Sequence, residues 1–252
     1  MEKSAKNPVE TTKKSFRLVE TLKDCDEAGV TELADRLGMS KSVVHNHLST
    51  LREEGYVIKR DGVYTLSLKF LELGGYTRKQ MDLYQAARPE INQLASKSGE
   101  LVNLLTECQG KGVYLYRAKG DRAVDLNTHT GFRTYLHSTA LGKCLLANMT
   151  DERVDEIIDE HHLPAETENT ITDREVLYDR LNEVHEQGYA VDDAERLEGL
   201  RCVAAPIEDT QTVLGAISVS APIGRLSREE AEGKIKDLIQ DAANVIELKV
   251  RY

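Results

Sequence analysis

Apolar residues near the start of the chain recur at the spacing of amphipathic helices. Over residues 11–25 they share one helical face, formed by Phe16, Val19 and Leu22 with Leu18 beside them. Over residues 31–37 the pattern predicts a shorter helix that begins with Thr31 as its N-cap and ends at Gly38. The residues expected to face inward from this second helix are Leu33, Ala34 and Leu37.

A third helix is predicted after a connection of only a few residues. Ser40 is expected to cap it and Gly55 to end it. Its apolar positions repeat at helical spacing and are Val44, Leu48 and Leu51. Three helices joined in this way, with a tight connection before the third, predict a helix-turn-helix.

Two β-prone runs follow the third helix. The runs YVIKR and VYTLS flank Asp61 and Gly62, a dipeptide typical of two-residue hairpin turns. We expect this hairpin to be the wing of a winged helix-turn-helix DNA-binding domain that spans residues 1–66.

The rest of the chain predicts linker helices over residues 67–98 and a second domain over residues 99–252. Strands are expected in the runs LVNLLTE, GVYLYRA, AVDLNT, YAVDD, LRCVAAPI and TVLGAISVSA. Helices are expected near 138–148, 150–160 and 173–187, and from Ser227 to about Lys249. Because strands precede and follow the helices without regular alternation, the pattern predicts an α+β domain around an antiparallel sheet.

Charge is distributed unevenly between these parts. Residues 1–66 hold 11 basic and 11 acidic residues, whereas residues 67–252 hold 22 and 32, so the formal net charge of −10 belongs to the second part. The segment with the DNA-binding pattern therefore has no net negative charge that would repel DNA. A halophilic host would explain the acidic remainder, because molar salt shortens the Debye length to about 3 Å and screens its repulsion of phosphate. The alternative is an acidic domain at ordinary salt, which DNA-binding proteins also carry.

Composition also limits the compartment and the chemistry. No apolar run approaches the roughly 18 residues of a membrane span, and the polar start is unlike a signal peptide, so we expect a cytoplasmic protein without membrane contact. The cysteines lie 83, 36 and 58 residues apart without a CxxC pair. Reduced thiols are therefore expected, with no cofactor and no metal site.

Catalysis is one possible function, with Cys202 or Cys144 as nucleophile and His129 or His137 as base. No GxSxG, GxxxxGK[ST], HExxH or GxGxxG motif occurs in the sequence, so we do not expect an enzyme. An architectural DNA-binding protein without a ligand is a second possibility. A metal site at the adjacent histidines 161 and 162 is a third.

The ordered motifs of the chain resemble those of the IclR-type transcription regulators of bacteria and archaea. The resemblance rests on KSVVHNHLSTLREEGYV, ELVNLLTECQGKGVYLYRA, YLHSTALGKCLLA, and ITDREVLYDRLNEVHEQGYAVDDAERLEGLRCVAAPI with LGAISVSAP. It implies a GAF-like effector domain, a homodimer or a tetramer of dimers, and an operator whose binding a small metabolite modulates. It also implies control of catabolic genes, with activation and repression both open.

Candidate DNA contacts lie opposite the apolar stripe of the third helix and on the wing. They are Ser40, Lys41, Ser42, His45, Asn46 and Ser49, together with Lys59 and Arg60. Side chains in the first helical turn suit phosphate or base edges, and Asn46 suits a bidentate contact to adenine. The family often carries Arg near position 46, so its base preference is not transferred. The alternative to DNA contact is that these polar side chains only keep an exposed surface soluble.

Candidate effector contacts come from three segments. Ser138 and Thr139 are expected to cap a helix whose small first residues form an anion seat. On a strand, Ser218 and Ser220 share one face. The resemblance implies one cavity lined by Ser138, Thr139, Ala140, Leu141, Gly142, Asp192, Cys202, Ser218 and Ser220. Its hydroxyl groups favour a small organic acid or sugar acid, whereas core packing of Cys202 and cross-strand pairing of the serines are the alternatives.

Overall fold

The computed structural model describes residues 5–210 and 212–252 and divides the chain into two compact units, Met1–Thr77 and Arg78–Tyr252. Each unit has its own apolar core among the described residues. The helix Lys69–Lys79, named α4, carries the chain from the first unit into the second. The boundaries drawn from the sequence at residues 66 and 98 stay predictions.

The first unit is a winged helix-turn-helix, as predicted. Its described elements are α1 (Glu10–Cys25), β1 (Ala28–Gly29), α2 (Val30–Leu37), α3 (Lys41–Glu53), β2 (Val57–Arg60) and β3 (Val63–Leu66). Strands β2 and β3 form the wing, and β1 adds to the far side of β3 in antiparallel register. At the tip of the wing Asp61 and Gly62 both have positive φ, 48° and 90°, as a tight hairpin turn requires.

Two details of the helices in this unit differ from the prediction. Phe16 is 64% exposed, because Leu18 is the centre of the buried face of α1 and a position two residues away lies about 200° around the helix. Thr31 lies inside α2 and caps nothing, because Gly29 is already the N-cap. Pairing of Ala28 with Tyr64 on β3 fixes the chain just before this helix and so sets its start.

The second unit is an α+β domain around an antiparallel sheet, which confirms the predicted class. After α4 its described elements are α5 (Asp82–Ser98), β4 (Leu101–Cys108), β5 (Lys111–Lys119), β6 (Arg133–Thr134), α6 (Ala140–Leu146), α7 (Asp151–His161), α8 (Arg174–Gln187), β7 (Ala190–Asp193), β8 (Leu200–Glu208), β9 (Val213–Pro222), α9 (Arg228–Glu230) and α10 (Lys236–Arg251). The strands follow the order β6-β5-β4-β9-β8-β7, and helices cover both faces of the sheet.

Two elements of this unit were predicted incorrectly. The run AVDLNT, residues 123–128, is a loop between β5 and β6, because its Leu126 and Thr128 border a cavity instead of pairing with a strand. The final helix is interrupted between α9 and α10 by a π-helical turn, Ala231–Ile235, in which Gly233 has non-helical backbone angles. None of the helices in the described parts of the chain is both long and apolar enough to cross a membrane.

Candidate DNA-reading surface and effector cavity

Helix α3 is fixed at its start and along one face. The Ser40 hydroxyl accepts a hydrogen bond of 3.3 Å from the Val43 amide, which caps the helix as predicted. Val44 and Leu48 are fully buried in the core of the first unit. The opposite face is therefore held toward solvent, and it carries Lys41, Ser42, His45 and Asn46 as exposed residues, with Ser49 half-buried beside them.

The two histidines of α3 have different surroundings. His47 points toward α1, where its Nδ1 lies 2.8 Å from the Ser15 hydroxyl oxygen. This contact ties α3 to α1 and gives His47 a structural role. His45, two residues earlier, is exposed on the side of Asn46. The structure thus separates the pair, as expected for positions i and i+2 of a helix.

The wing presents two cations near its tip. Lys59 lies across the hairpin from Tyr64, and its Nζ is 5.2 Å from the centre of that ring. Arg60 is exposed directly before the turn. Among the described residues, neither wing cation nor Lys41 forms an ion pair, so all three charges remain available to an anion such as phosphate.

Strand register brings the second set of candidates together on one face of the sheet. Ser218 on β9 pairs with Asn103 on β4, Ser220 pairs with Cys202 on β8, and Cys202 pairs in turn with Asp192 on β7. Residues paired directly across neighbouring strands present their side chains on the same face. This face and α6 enclose a cavity lined by Asn103, Tyr114, Leu126, Thr128, Thr139, Ala140, Leu141, Asp192, Arg196, Leu200, Cys202, Ser218 and Ser220.

Two of the nine predicted effector contacts do not reach this lining. The Gly142 amide donates a 2.9 Å hydrogen bond to the Thr139 hydroxyl and is no longer a free donor. A Cβ at Gly142 would lie 2.1 Å from the Leu136 carbonyl oxygen, so the glycine permits close packing. Ser138 is fully buried outside the cavity. The predicted anion seat is thereby reduced to the first-turn amides of Ala140 and Leu141.

Several polar atoms in the cavity are buried without a hydrogen-bond partner. Asn103 Nδ2 donates to the Ser220 hydroxyl at 3.3 Å, but Asn103 Oδ1 has no partner among the described residues. The Ser218 hydroxyl, in a residue that is 1% exposed, also has none there. Buried polar atoms are nearly always paired, so these two mark a place where a ligand can bind. The free space is about 10 Å³, close to the minimum for one water molecule, so a larger ligand has to widen it.

Asp192 is the one carboxyl group in the lining, and it is 2% exposed. Its Oδ1 accepts a 2.7 Å hydrogen bond from the Glu195 amide. Burial, aided by the charge of Glu195, raises the pKa of Asp192 to about 7, although the nearby ammonium group of Lys143 opposes the shift. This carboxyl group therefore titrates close to neutral pH.

Comparison with known proteins assigns the chain. A family model described as the IclR helix-turn-helix domain matches residues 11–61, and one described as the bacterial transcriptional regulator IclR C-terminal domain matches residues 76–248. The chain belongs to the IclR family. It is therefore a DNA-binding transcription regulator and not an enzyme, and the α+β fold with an N-terminal helix-turn-helix is the fold of this family.

Relatives match this IclR-family chain over nearly its full length. It is 33% identical to a probable HTH-type transcriptional regulator ArcR of Halobacterium salinarum, over 94% of this chain and 92% of the relative. It is also 33% identical to the HTH-type transcriptional regulator KdgR of Escherichia coli, over 97% and 94%. The crystal structure of the Thermotoga maritima IclR superposes with a TM-score of 0.77 at 29% identity, covering 96% of this chain and 99% of that one.

The sequence did not reveal four polar residues of this IclR-family cavity, which are Asn103, Tyr114, Thr128 and Arg196. Asn103 interrupts the apolar run of β4 and is the only one whose position gave a signal, since a polar residue in a buried strand needs a partner. Tyr114 and Arg196 meet at the cavity, where Arg196 Nη1 donates to the Tyr114 hydroxyl at 3.2 Å. A larger open groove of about 510 Å³ borders Lys111 and Arg133, but it contains none of the predicted effector contacts.

Proposed function

We propose that this IclR-family regulator binds operator DNA as a homodimer and that a small organic acid in the cavity of the second unit changes its operator affinity. The observation that carries the proposal is the row of polar side chains aligned by strand register, in which Asn103 Oδ1 and the Ser218 hydroxyl are buried without partners. The genes under control are proposed to serve catabolism, with the direction of regulation left to experiment.

We propose that the outer face of α3 and the wing contact the operator DNA. The contacting residues are proposed to be Ser40, Lys41, Ser42, His45, Asn46, Ser49, Lys59 and Arg60. Asn46 is central to the exposed face, where an amide can recognise adenine, whereas the unpaired cations suit phosphates. The Ser40 hydroxyl already accepts a hydrogen bond from the Val43 amide, so we propose that it contacts DNA only as a hydrogen-bond donor.

The effector is proposed to bind the residues that line the cavity. The contacts carried over from the sequence are Thr139, Ala140, Leu141, Asp192, Cys202, Ser218 and Ser220. A small hydroxylated acid suits this set, because hydroxyl groups can pair with Asp192 and Ser218 while aromatic stacking partners are few. An IclR homolog of the same fold, from Microbacterium hydrocarbonoxydans, was crystallised as a complex with 4-hydroxybenzoate. The ligand of that homolog is a small carboxylic acid.

Self-association is proposed through the apolar side of α4 and the residue before it. Leu68, Leu71 and Tyr76 are 77%, 70% and 67% exposed, and α4 buries no residue within its own chain. A second copy of the chain is the proposed occupant, because one recognition helix reads only a few base pairs and twofold proteins read two half-sites. We further propose a cytoplasmic location and, from the acidic surplus, a salt-rich host.

The proposal is tested with the full-length protein and fragmented genomic DNA. Wild type should enrich a small set of fragments with an inverted repeat, and Asn46→Ala should lose that preference. Titration of small hydroxy and keto acids should then change affinity for the enriched fragment in wild type, but not in the double variant Ser218→Ala/Ser220→Ala. Enrichment of random fragments by wild type would refute the DNA assignment, and equal acid responses in both proteins would refute the cavity.

A further inference from the structure

We propose that Arg117 and Arg196 bind the carboxylate of the effector, an inference that rests on the proposed function. The rest of the effector then lies toward Asn103, Ser218 and Asp192. In this arrangement the arginines, and not the first turn of α6, hold the acid group. They thereby select anionic molecules over neutral ones of the same shape.

Arg196 lines the cavity, and Arg117 lies next to the lining residue Asn103 on the neighbouring strand. Arg117 on β5 pairs directly with Asn103 on β4, so the two side chains are on the same face of the sheet. Arg196 comes from the loop between β7 and β8, and its guanidinium carbon lies 5.7 Å from the centre of the Tyr114 ring. The same carbon lies 5.3 Å from the ring of Phe132. The charges of both arginines lower the pKa of Tyr114, against the rise that burial causes, so two cations from distant parts of the chain act on the same tyrosine of the lining.

Arg117 has the less satisfied side chain of the two. Its Nε and Nη2 atoms are buried and have no hydrogen-bond partner in residues 5–210 and 212–252. Burial and the positive charge of Arg196 lower the pKa of Arg117, and Tyr114 and Asp125 partly offset this, while the guanidinium group stays protonated. Two buried N–H donors without an acceptor are unfavourable, so the arrangement favours a bound acceptor such as a carboxylate.

Other arginines of the same domain have carboxylate partners. Arg201 binds Asp193 at 2.7 Å, and Arg225 binds Glu100 at 2.9 Å. Among the described residues neither Arg117 nor Arg196 has a carboxylate within 4.0 Å, in a chain with 43 acidic residues. The absence of such a partner is therefore not a general property of the domain.

Donors and acceptors of the cavity orient the ligand. Guanidinium groups bind carboxylates through two parallel hydrogen bonds, and a pair of them attracts an anion. Asp192 and Asn103 Oδ1 only accept hydrogen bonds, so they suit the hydroxyl groups of a ligand and not its carboxylate. The ligand class that satisfies both sets of groups is a small hydroxy acid, with its carboxylate on the guanidinium groups and its hydroxyl groups on Asp192 and Asn103.

Matched pairs of acids and neutral polyols test this assignment. Gluconate with glucitol, and glycerate with glycerol, are titrated calorimetrically into the full-length protein, with inorganic phosphate as a further anion. At least one acid should bind, whereas its polyol should not. Arg117→Gln and Arg196→Gln should each weaken acid binding by about 10-fold or more, as loss of a charged hydrogen bond does. Arg117→Lys should retain part of the affinity, and Arg180→Gln on α8 is the matched control.

Several outcomes would overturn the assignment. Equal binding of acid and polyol, tighter binding of phosphate than of every acid, or no binding of any acid would each contradict it. If acids bind Arg117→Gln as tightly as wild type, while Ser218→Ala/Ser220→Ala loses them, the arginines are not the carboxylate site and the proposed function stands. If neither set of variants affects acid binding, the proposed cavity fails as well. A melting temperature of unliganded Arg117→Gln well below that of Arg180→Gln would give Arg117 a structural role instead.

Discussion

The ammonium group of Lys143 contacts the carboxylate of Glu195, and the two side chains are only 0% and 9% exposed. Lys143 also donates a 2.9 Å hydrogen bond to the Val191 carbonyl oxygen. The pair therefore joins α6 to β7 and to the loop that carries Arg196. It fixes two walls of the proposed effector cavity relative to each other.

Breaking this buried ion pair is expected to destabilise the fold. Lys143→Met leaves the Glu195 carboxylate buried without its counter-charge, which costs about 3–5 kcal/mol in free energy of unfolding. Urea denaturation followed by circular dichroism measures the loss. The double variant Lys143→Met/Glu195→Leu should recover part of it, because no charge is then left unpaired. A single variant within about 0.5 kcal/mol of wild type would show that the pair contributes little.

The carboxyl group of Asp192 is expected to make stability depend on pH. Its pKa is about 7 in the folded protein and near 3.9 when unfolded, so the folded state binds more protons between these values. Its contribution to stability therefore falls as pH rises from about 4 to 7 and is constant above. Asp192→Asn removes this dependence, so its stability relative to wild type should rise by roughly 2–3 kcal/mol between pH 5 and pH 8. Parallel pH profiles would show that Asp192 is ionised throughout.

Residues of the DNA-reading surface should separate by the kind of contact they make. Lys59→Ala removes an unpaired cation, so it should weaken binding to all DNA alike and reduce the salt slope by about one. Asn46→Ala should instead reduce discrimination between operator variants by on the order of 1–3 kcal/mol. Fluorescence anisotropy at several salt concentrations measures both effects. If Asn46→Ala instead weakened binding equally on every DNA sequence, Asn46 would only position the protein on the DNA and would not recognise a base.

The exposed leucines near the start of α4 should mediate self-association. Light scattering at micromolar concentration should give about twice the 28.2 kDa mass of one chain, or a multiple of that. Leu68→Ser/Leu71→Ser should shift the mass toward one chain without loss of helix, because both side chains are exposed within the chain. Val176→Ser, at an exposed apolar position of α8, is the control. A wild-type mass near 28 kDa with and without DNA would contradict the homodimer.

The parts of the fold that local patterns determine were predictable from the sequence. The cap at Ser40, the buried stripe of α3 and the turn at Asp61 depend on neighbours in the chain, and the structure shows each of them. The alternation of β9 also predicted that Ser218 and Ser220 share a face. Both serines line one cavity with Asp192.

What could not be predicted depends on contacts between distant residues. Lys143 and Glu195 are 52 positions apart, and Asn103 is 117 positions from its partner Ser220. Helix and strand periodicity relate only residues that are close in the chain. The Lys143–Glu195 ion pair and the position of Asn103 in the cavity could therefore be identified only from the structure. Loop 123–128 alternates like a strand, yet it joins neither sheet of the described residues, and its Leu126 and Thr128 line the cavity instead.

Operator affinity with and without the bound acid is the decisive measurement, because it connects the cavity with DNA binding. Anisotropy titrations at fixed salt would use the enriched operator, the full-length protein and the acid that binds in calorimetry. We expect operator affinity of the wild type to change by roughly 5- to 150-fold, which is the usual range of coupling between two sites. No change is expected in Ser218→Ala/Ser220→Ala at the same acid concentration. If an acid occupies the wild-type cavity at saturation and leaves operator affinity unchanged, the cavity does not regulate DNA binding.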